Sequence, residues 1–281
     1  MFRKAFILLL AVSLTVFSFI SASADGLFGE LARNEGADER LAVLDKIAEP
    51  VTAYFTTNLF SVEISQAYYE GNRIYVSYKA RGSEIVIQDG LELSDDSYAD
   101  IIAGEEVEQE DGSIIGWKEC VVPDENAADT LTVSLVFSTS FESADMSTVS
   151  FTLNRNGYSR FLRGISPAGA YRAEAELFMG KVDLKGVVRL VSPEQAASWI
   201  AWQEGEEETG TDVIGCWNLY QNGEPVSVDL YGASRVNGTE EVIFEIMYPR
   251  MDDLSGLTLV PEYSLGGEKA EEAIALEPVV Q

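Results

Sequence analysis

Apolar and polar residues alternate through residues 62–78, VEISQAYYEGNRIYVSY. Val62, Ile64 and Tyr68 are expected on one face of a first strand. Gly71 and Asn72 allow the positive φ of a tight turn, and Ile74, Val76 and Tyr78 alternate on the return. The pattern predicts a β-hairpin with one buried face. The device returns in residues 173–192, AEAELFMGKVDLKGVVRLVS. There Ala173, Ala175, Leu177 and Met179 alternate, Gly180 and Lys181 turn the chain, and Val182, Leu184, Val188 and Leu190 alternate back. A fainter echo follows each hairpin, IIGW at 114–117 and VIGCW at 213–217.

Further alternating runs come after each hairpin: LTVSLVFS and VSFTL in the first half, VSVDLYG, EVIFEIMY and LTLVPEYSL in the second. Short strands with turn residues between them mean sandwiches or barrels, and the pattern reads as a mostly β protein of two tandem β-sandwich domains of similar plan. Each hydrophobic face needs an opposing sheet to cover it. The expected divisions are a leader over 1–24, a helical segment over 25–50, a first sandwich over 51–163 and a second over 170–281. The connector is NRNGYSRFLRGISPAGA, residues 154–170, with Gly157, Gly164, Pro167 and Gly169 among the basic Arg155, Arg160 and Arg163.

Two helices are expected. In DERLAVLDKIAE, Leu41, Leu44, Ile47 and Ala48 share a face at helical spacing, with Gly36 before and Pro50 after. In SPEQAASWIAW, Ser192 suits the N-cap, Pro193 the first helical position and Gln195 a capping box. The acidic EGEEETG that follows opposes the helix dipole and stops the helix. This second helix opens an insertion in the second sandwich. A longer one in the first, residues 89–129, holds 14 acidic residues against the single Lys118.

The N-terminus reads as a cleavable export signal. Arg3 and Lys4 precede the apolar run Ala5–Ile20, and Ala22-Ser23-Ala24 offers the small-x-small pattern for cleavage after Ala24. The expected location is secreted or extracytoplasmic, with no stable membrane insertion once the signal is removed. The chain carries 19 Lys and Arg against 47 Asp and Glu, a formal net charge of −28. Cleavage would remove two basic residues and no acid. Such a field repels nucleic acid and anionic membranes and draws cations or basic partners. Cys120 and Cys216 are the two cysteines. Export permits a disulfide between them, and buried free thiols are the alternative.

The chain contains no His. That removes Ser-His-Asp and Cys-His nucleophilic sites and His-ligated zinc or copper. No S-x-x-K, no G-x-x-x-x-G-K-[ST] and no G-x-G-x-x-G occurs. Carboxylate chemistry survives, since a glycosidase needs two suitably spaced Asp or Glu. Trp199 and Trp202, three residues apart on one predicted helix, offer an aromatic contact surface for a sugar; core packing is the plainer reading. DGLELSDDSYAD supplies Asp89, Glu92, Asp95, Asp96 and Asp100 as hard oxygen ligands for calcium. It lacks the fixed D-x-[DN]-x-[DN]-G spacing, so a solvated acidic loop is expected and no cofactor is assigned.

Two stretches carry a family resemblance. ISQAYYEGNRIYVSYKARG (64–82) resembles the opening, and LTLVPEYSLGGEKAEEAIAL (257–276) the closing strands, of the immunoglobulin-like ectodomains of uncharacterised function on bacterial anti-sigma factors. The resemblance implies the fold and the extracytoplasmic side of the membrane. Those proteins also carry a cytoplasmic sigma-binding segment, often with His and Cys zinc ligands, and an internal membrane helix. With no His here and no room before the leader, only the ectodomain part is expected, and the signalling role is not carried over. The expectation is an exported, non-catalytic module that binds or senses an unknown protein or glycan at the cell envelope. The alternatives are a carbohydrate-active enzyme using paired Asp/Glu and a calcium-stabilised adhesive protein.

Overall fold

The computed structural model describes residues 26–279 apart from 35, 83–84, 95–96, 124–125, 139–145, 168–171, 206–211, 229, 237–238 and 240; of Asp89, Arg160 and Leu230 only the backbone is described. The expected leader, residues 1–24, lies outside the described residues. The protein is mostly β, with several antiparallel sheets. It divides into a first unit ending at Asn156 and a second beginning at Gly157.

The first unit opens with two short helices, α1 (Leu27–Leu31) and α2 (Arg40–Ile47). Its strands are β1 (Glu49–Thr56), β2 (Ser61–Glu70), β3 (Arg73–Arg81), β4 (Val86–Leu93), β5 (Tyr98–Glu108), β6 (Ser113–Val121), β7 (Thr130–Ser138) and β8 (Ser147–Asn154). They form one eight-stranded sheet in the order β1-β2-β3-β6-β5-β4-β7-β8. The sheet curls until its far edge nears its start. Beyond β8, the Asn156 amide donates to the Tyr69 carbonyl at 2.8 Å, and the Gly71 amide donates to the Asn156 carbonyl at 2.8 Å. This is a near-barrel and not the two separate facing sheets expected. Val62, Ile64, Tyr69, Val76, Tyr78, Val133, Leu135 and Phe137 fill its inside.

The first hairpin forms with its turn at Gly71, where φ is +59°. Its faces differ from expectation. Ile64 pairs with Tyr78 and Gln66 with Ser77, so Ser65 is bulged out and the alternation changes phase. Tyr68 therefore lies on the face opposite Val62 and Ile64. That second face is buried too, because α1 and α2 cover it with Phe28, Leu31, Leu41 and Leu44. Pro50 lies inside β1, an edge position where a missing donor is tolerated.

The acidic stretch 89–129, expected as an insertion, contains most of β4 and all of β5 and β6. Much of β5 is exposed on both faces, so no period-two signal marks it as a strand.

The second unit has β9 (Ser159–Ile165), β10 (Ala173–Met179), β11 (Asp183–Leu190), α3 (Pro193–Glu204), β12 (Ile214–Gln221), β13 (Glu224–Pro225), β14 (Leu230–Arg235), β15 (Val242–Pro249), β16 (Leu257–Tyr263), β17 (Gly267–Glu268), β18 (Ile274–Ala275) and β19 (Glu277–Pro278). One sheet runs β14-β15-β11-β10-β9-β19 and the other β13-β12-β16-β17, with β18 also on β16. Leu177, Leu184, Phe244 and Ile246 of the first sheet share one core with Trp217, Leu219 and Leu259 of the second. The plan differs from the first unit, so the two halves are not copies of one arrangement. VIGCW pairs with β16, whereas IIGW pairs with β3 and β5.

The boundary also moves. Residues 159–165, expected as connector, are strand β9 paired to β10. Its inward positions are Leu162 and Gly164, where a Cβ would lie 2.4 Å from the Ala275 carbonyl oxygen. Small residues at a close approach hid the strand. The basic residue Arg163 on its outer face pairs with Glu174 at 3.3 Å.

Candidate functional site

β4 and β5 pair only through Gly90–Asp100, Leu91–Ala99 and Glu92–Tyr98. Beyond that point β4 stays on β7 and β5 on β6, so the sheet splits. The divergence starts at a bulge between Ile101 and Ala103, which bends the strand and raises its twist. From Ala103 to Glu108, β5 has β6 along one edge and, among the described residues, no strand along the other.

The bulge also changes what lines the inner face. Before it come Ala99 and Ile101; after it come Gly104, Glu106 and Glu108, opposite Lys118, Gly116 and Ile114 of β6. Gly116 makes room for an aromatic ring: a Cβ there would lie 2.7 Å from the Tyr78 Cζ and Oη. Tyr78 Oη donates to Glu106 Oε1 at 2.5 Å. Lys118 Nζ stands 6.0 Å from the centre of the Tyr78 ring, and this lysine is only 4% exposed. Carboxylate, phenol and ammonium thus meet where the sheet opens. The corner can bind and orient a polar group.

A second polar group lies on the outer face of the β12–β16 sheet. Cys216 Sγ donates to Glu262 Oε2 at 3.1 Å, and Asn218 Nδ2 donates to Glu262 Oε2 at 2.9 Å and to Glu268 Oε1 at 2.7 Å. Tyr220 Oη donates to Glu268 at 2.7 Å. The Asn218 amide and the Cys216 thiol hold Glu262 below the usual carboxylate range despite some burial. Burial, then Glu262, pushes the Cys216 thiol up to about 12. The proton stays on sulfur and the carboxylate stays charged.

A third group ties the helices down. Glu119 of β6 is 1% exposed and sits between Arg73, its hydrogen-bond partner, and Arg40 of α2 at 2.9 Å. Gln66 Oε1 accepts from the Phe28 amide at 3.2 Å.

Cys120 and Cys216, considered above as a bridge, are each free thiols; burial pushes Cys120 up to about 12. Trp199 and Trp202 do not form one surface. Trp199 is 4% exposed and packs edge-on to Phe244 at 6.0 Å, whereas Trp202 is 39% exposed. At four-tenths of the accessible surface, only Trp202 can meet a ligand.

In the expected calcium loop, Asp95 and Asp96 lie outside the described residues, Asp89 is described only as backbone, and Glu92 and Asp100 stand on β4 and β5. Among the described residues no three His, Cys, Asp or Glu side chains are grouped to hold a metal. The Tyr78–Glu106–Lys118 corner was missed from sequence because β5 itself was missed.

No family model matches the chain, and no curated protein does. It is similar to a crystal structure of the conserved domain protein from Bacillus anthracis, at a TM-score of 0.52 and 14% identity, over 94% of this chain and 96% of that one. At that identity the likeness is one of fold.

Proposed function

We propose that the chain is an exported, non-catalytic module of the cell envelope, built from two immunoglobulin-like domains, that binds or senses a partner at the split between β4 and β5. The split carries this reading. It leaves a stretch of β5 with no described strand along one edge, beside an ordered polar corner, an arrangement suited to recognition. In the first unit the immunoglobulin-like reading is supported by antiparallel strands wrapped around one hydrophobic core. It is supported also by the two sheets around the core of the second unit. In the same reading residues 1–24 are a leader, and the likeness to anti-sigma ectodomains concerns the outer face of the membrane only.

The glycosidase alternative needs a carboxyl group that stays protonated to act as acid. Glu262, beside Glu268 on the β12–β16 sheet, is displaced the other way. Two measurements test the proposal together. Mass spectrometry of the protein from its native host is expected to show a chain beginning near Asp25 in the extracytoplasmic fraction. Incubation with a panel of cell-wall and capsular polysaccharides is expected to release no reducing ends. A chain retaining Met1 in the cytoplasm, or turnover that is lost in Glu262→Gln, overturns it.

A further inference from the structure

We infer that the free edge of β5, from Ala103 to Glu108, receives an extended, basic segment of a partner protein as an added strand. The inference deepens the binding reading above and rests on it. Every second N–H and C=O of a strand points away from its paired neighbour, and along this stretch β6 occupies one side only. Nothing else among the described residues pairs with it, because β4 has left after Asp100. An uncovered strand edge is a template for another strand.

The side chains set the chemistry of the newcomer. Glu106 and Glu108 lie on one face and Glu105 and Val107 on the other. Glu105, Glu106 and Glu108 are exposed. The Lys118 ammonium is buried on the inner face. Beyond the strand, Asp111 is occupied by Arg81 at 3.1 Å. An incoming strand with lysine or arginine at every second position would set two cations beside Glu106 and Glu108, the cross-strand pairing that favours opposite charges. A third cation, one position out of phase, would meet Glu105. An acidic or neutral strand gains the backbone bonds without this pairing, so the edge selects by charge.

The test uses the full chain without its leader and an eight-residue capped peptide of alternating lysine and threonine. Two controls accompany it: the same peptide N-methylated at alternate amides, and one with glutamate for lysine. The lysine peptide is expected to bind at low salt, to weaken as salt rises, and to slow amide exchange at residues 103–108. Glu105→Lys and Glu108→Lys, both on exposed side chains, are expected to weaken it about tenfold together. The N-methylated and glutamate peptides are expected not to bind. Equal binding of the N-methylated peptide, or unchanged exchange at 103–108, overturns strand addition. No binding by any peptide also overturns it and identifies the acidic edge as a guard against pairing. Failure of the wider reading would show separately, in the location and polysaccharide experiments.

Discussion

The Glu119 carboxylate of β6 accepts from the Arg40 guanidinium of α2 at 2.9 Å, in a site where Glu119 is 1% exposed. Arg73 takes the other carboxylate oxygen. Removing one partner of such a buried group leaves its charge less well compensated, which costs up to about 3–5 kcal/mol. Arg73→Met is expected to fall in that range by urea denaturation. Arg40→Met should cost less, because Arg40 is the more exposed of the two. Replacing Arg73 and Glu119 together by Met and Leu is expected to recover much of the loss. Full additivity of the two single losses would show that the groups do not act as a pair.

Asp38 gives the same helix an acid-sensitive anchor. Its Oδ1 accepts the Arg40 amide at 2.8 Å, and its Oδ2 pairs with the Arg40 guanidinium at 2.7 Å. Burial raises its pKa, but the hydrogen bonds and charge of Arg40 outweigh that and hold it below the usual value. A carboxyl depressed in the folded state stabilises fully above its unfolded pKa, and that contribution is lost as pH falls through the folded value. Melting temperature is expected to drop on acidification below about pH 4. Asp38→Asn keeps an acceptor for the Arg40 amide and is expected to flatten part of that drop. An unchanged acid slope would remove Asp38 from the account.

Strands that bury one face were legible; β2 and β3, which bury both, were found with their second buried face missed, and β5, exposed on both, was not found. β10 and β11 were readable because Ala175, Leu177, Leu184 and Val188 face one core while Glu176 and Arg189 face outward. β5 failed because Gly104, Glu105 and Glu106 carry no apolar signal on either side. The phase of β2 failed at Ser65, since a bulge shifts the faces without marking composition. α1 was not read as a separate helix within the expected helical segment 25–50, because five residues are too few to show a helical period. Asn222-Gly223 is a two-residue turn signal with φ of +52° and +88°, and it turns β12 into β13. It was available in the sequence. For α3, Ser192 and Pro193 marked the start correctly, although the Ser192 side chain makes no capping hydrogen bond. Its end falls at Glu204, inside the acidic run expected to stop it, with Gly205 at φ +70° as the left-handed cap. The polar corner needed the three-dimensional register, because Tyr78, Glu106 and Lys118 come from three strands.

Trp199 and Trp202 separate packing from exposure within one helix. Trp199→Ala empties a site against Phe244 and is expected to cost about 3–5 kcal/mol by urea denaturation. Trp202→Ala is expected to cost under about 1 kcal/mol. Comparable losses would mean that Trp202 packs as deeply as its neighbour.

Cys216 is a thiol held protonated by its surroundings, and that has a kinetic consequence. With the thiol pushed up to about 12, it carries on the order of a thousandfold less thiolate at pH 8 than free cysteine. Alkylation by iodoacetamide, followed by peptide mass spectrometry, is expected to be slow at Cys216 even though the residue is only partly buried. Glu262 accepts the thiol hydrogen at 3.1 Å and, as a nearby negative charge, opposes ionisation of the sulfur. Glu262→Gln removes that charge and is expected to lower the thiol pKa and speed alkylation at constant pH. The pH–rate profile separates this from simple exposure: a lowered pKa moves the rising limb to lower pH, whereas greater access raises the rate at every pH without moving the limb. A profile that stays in place would show that burial alone holds the proton on sulfur.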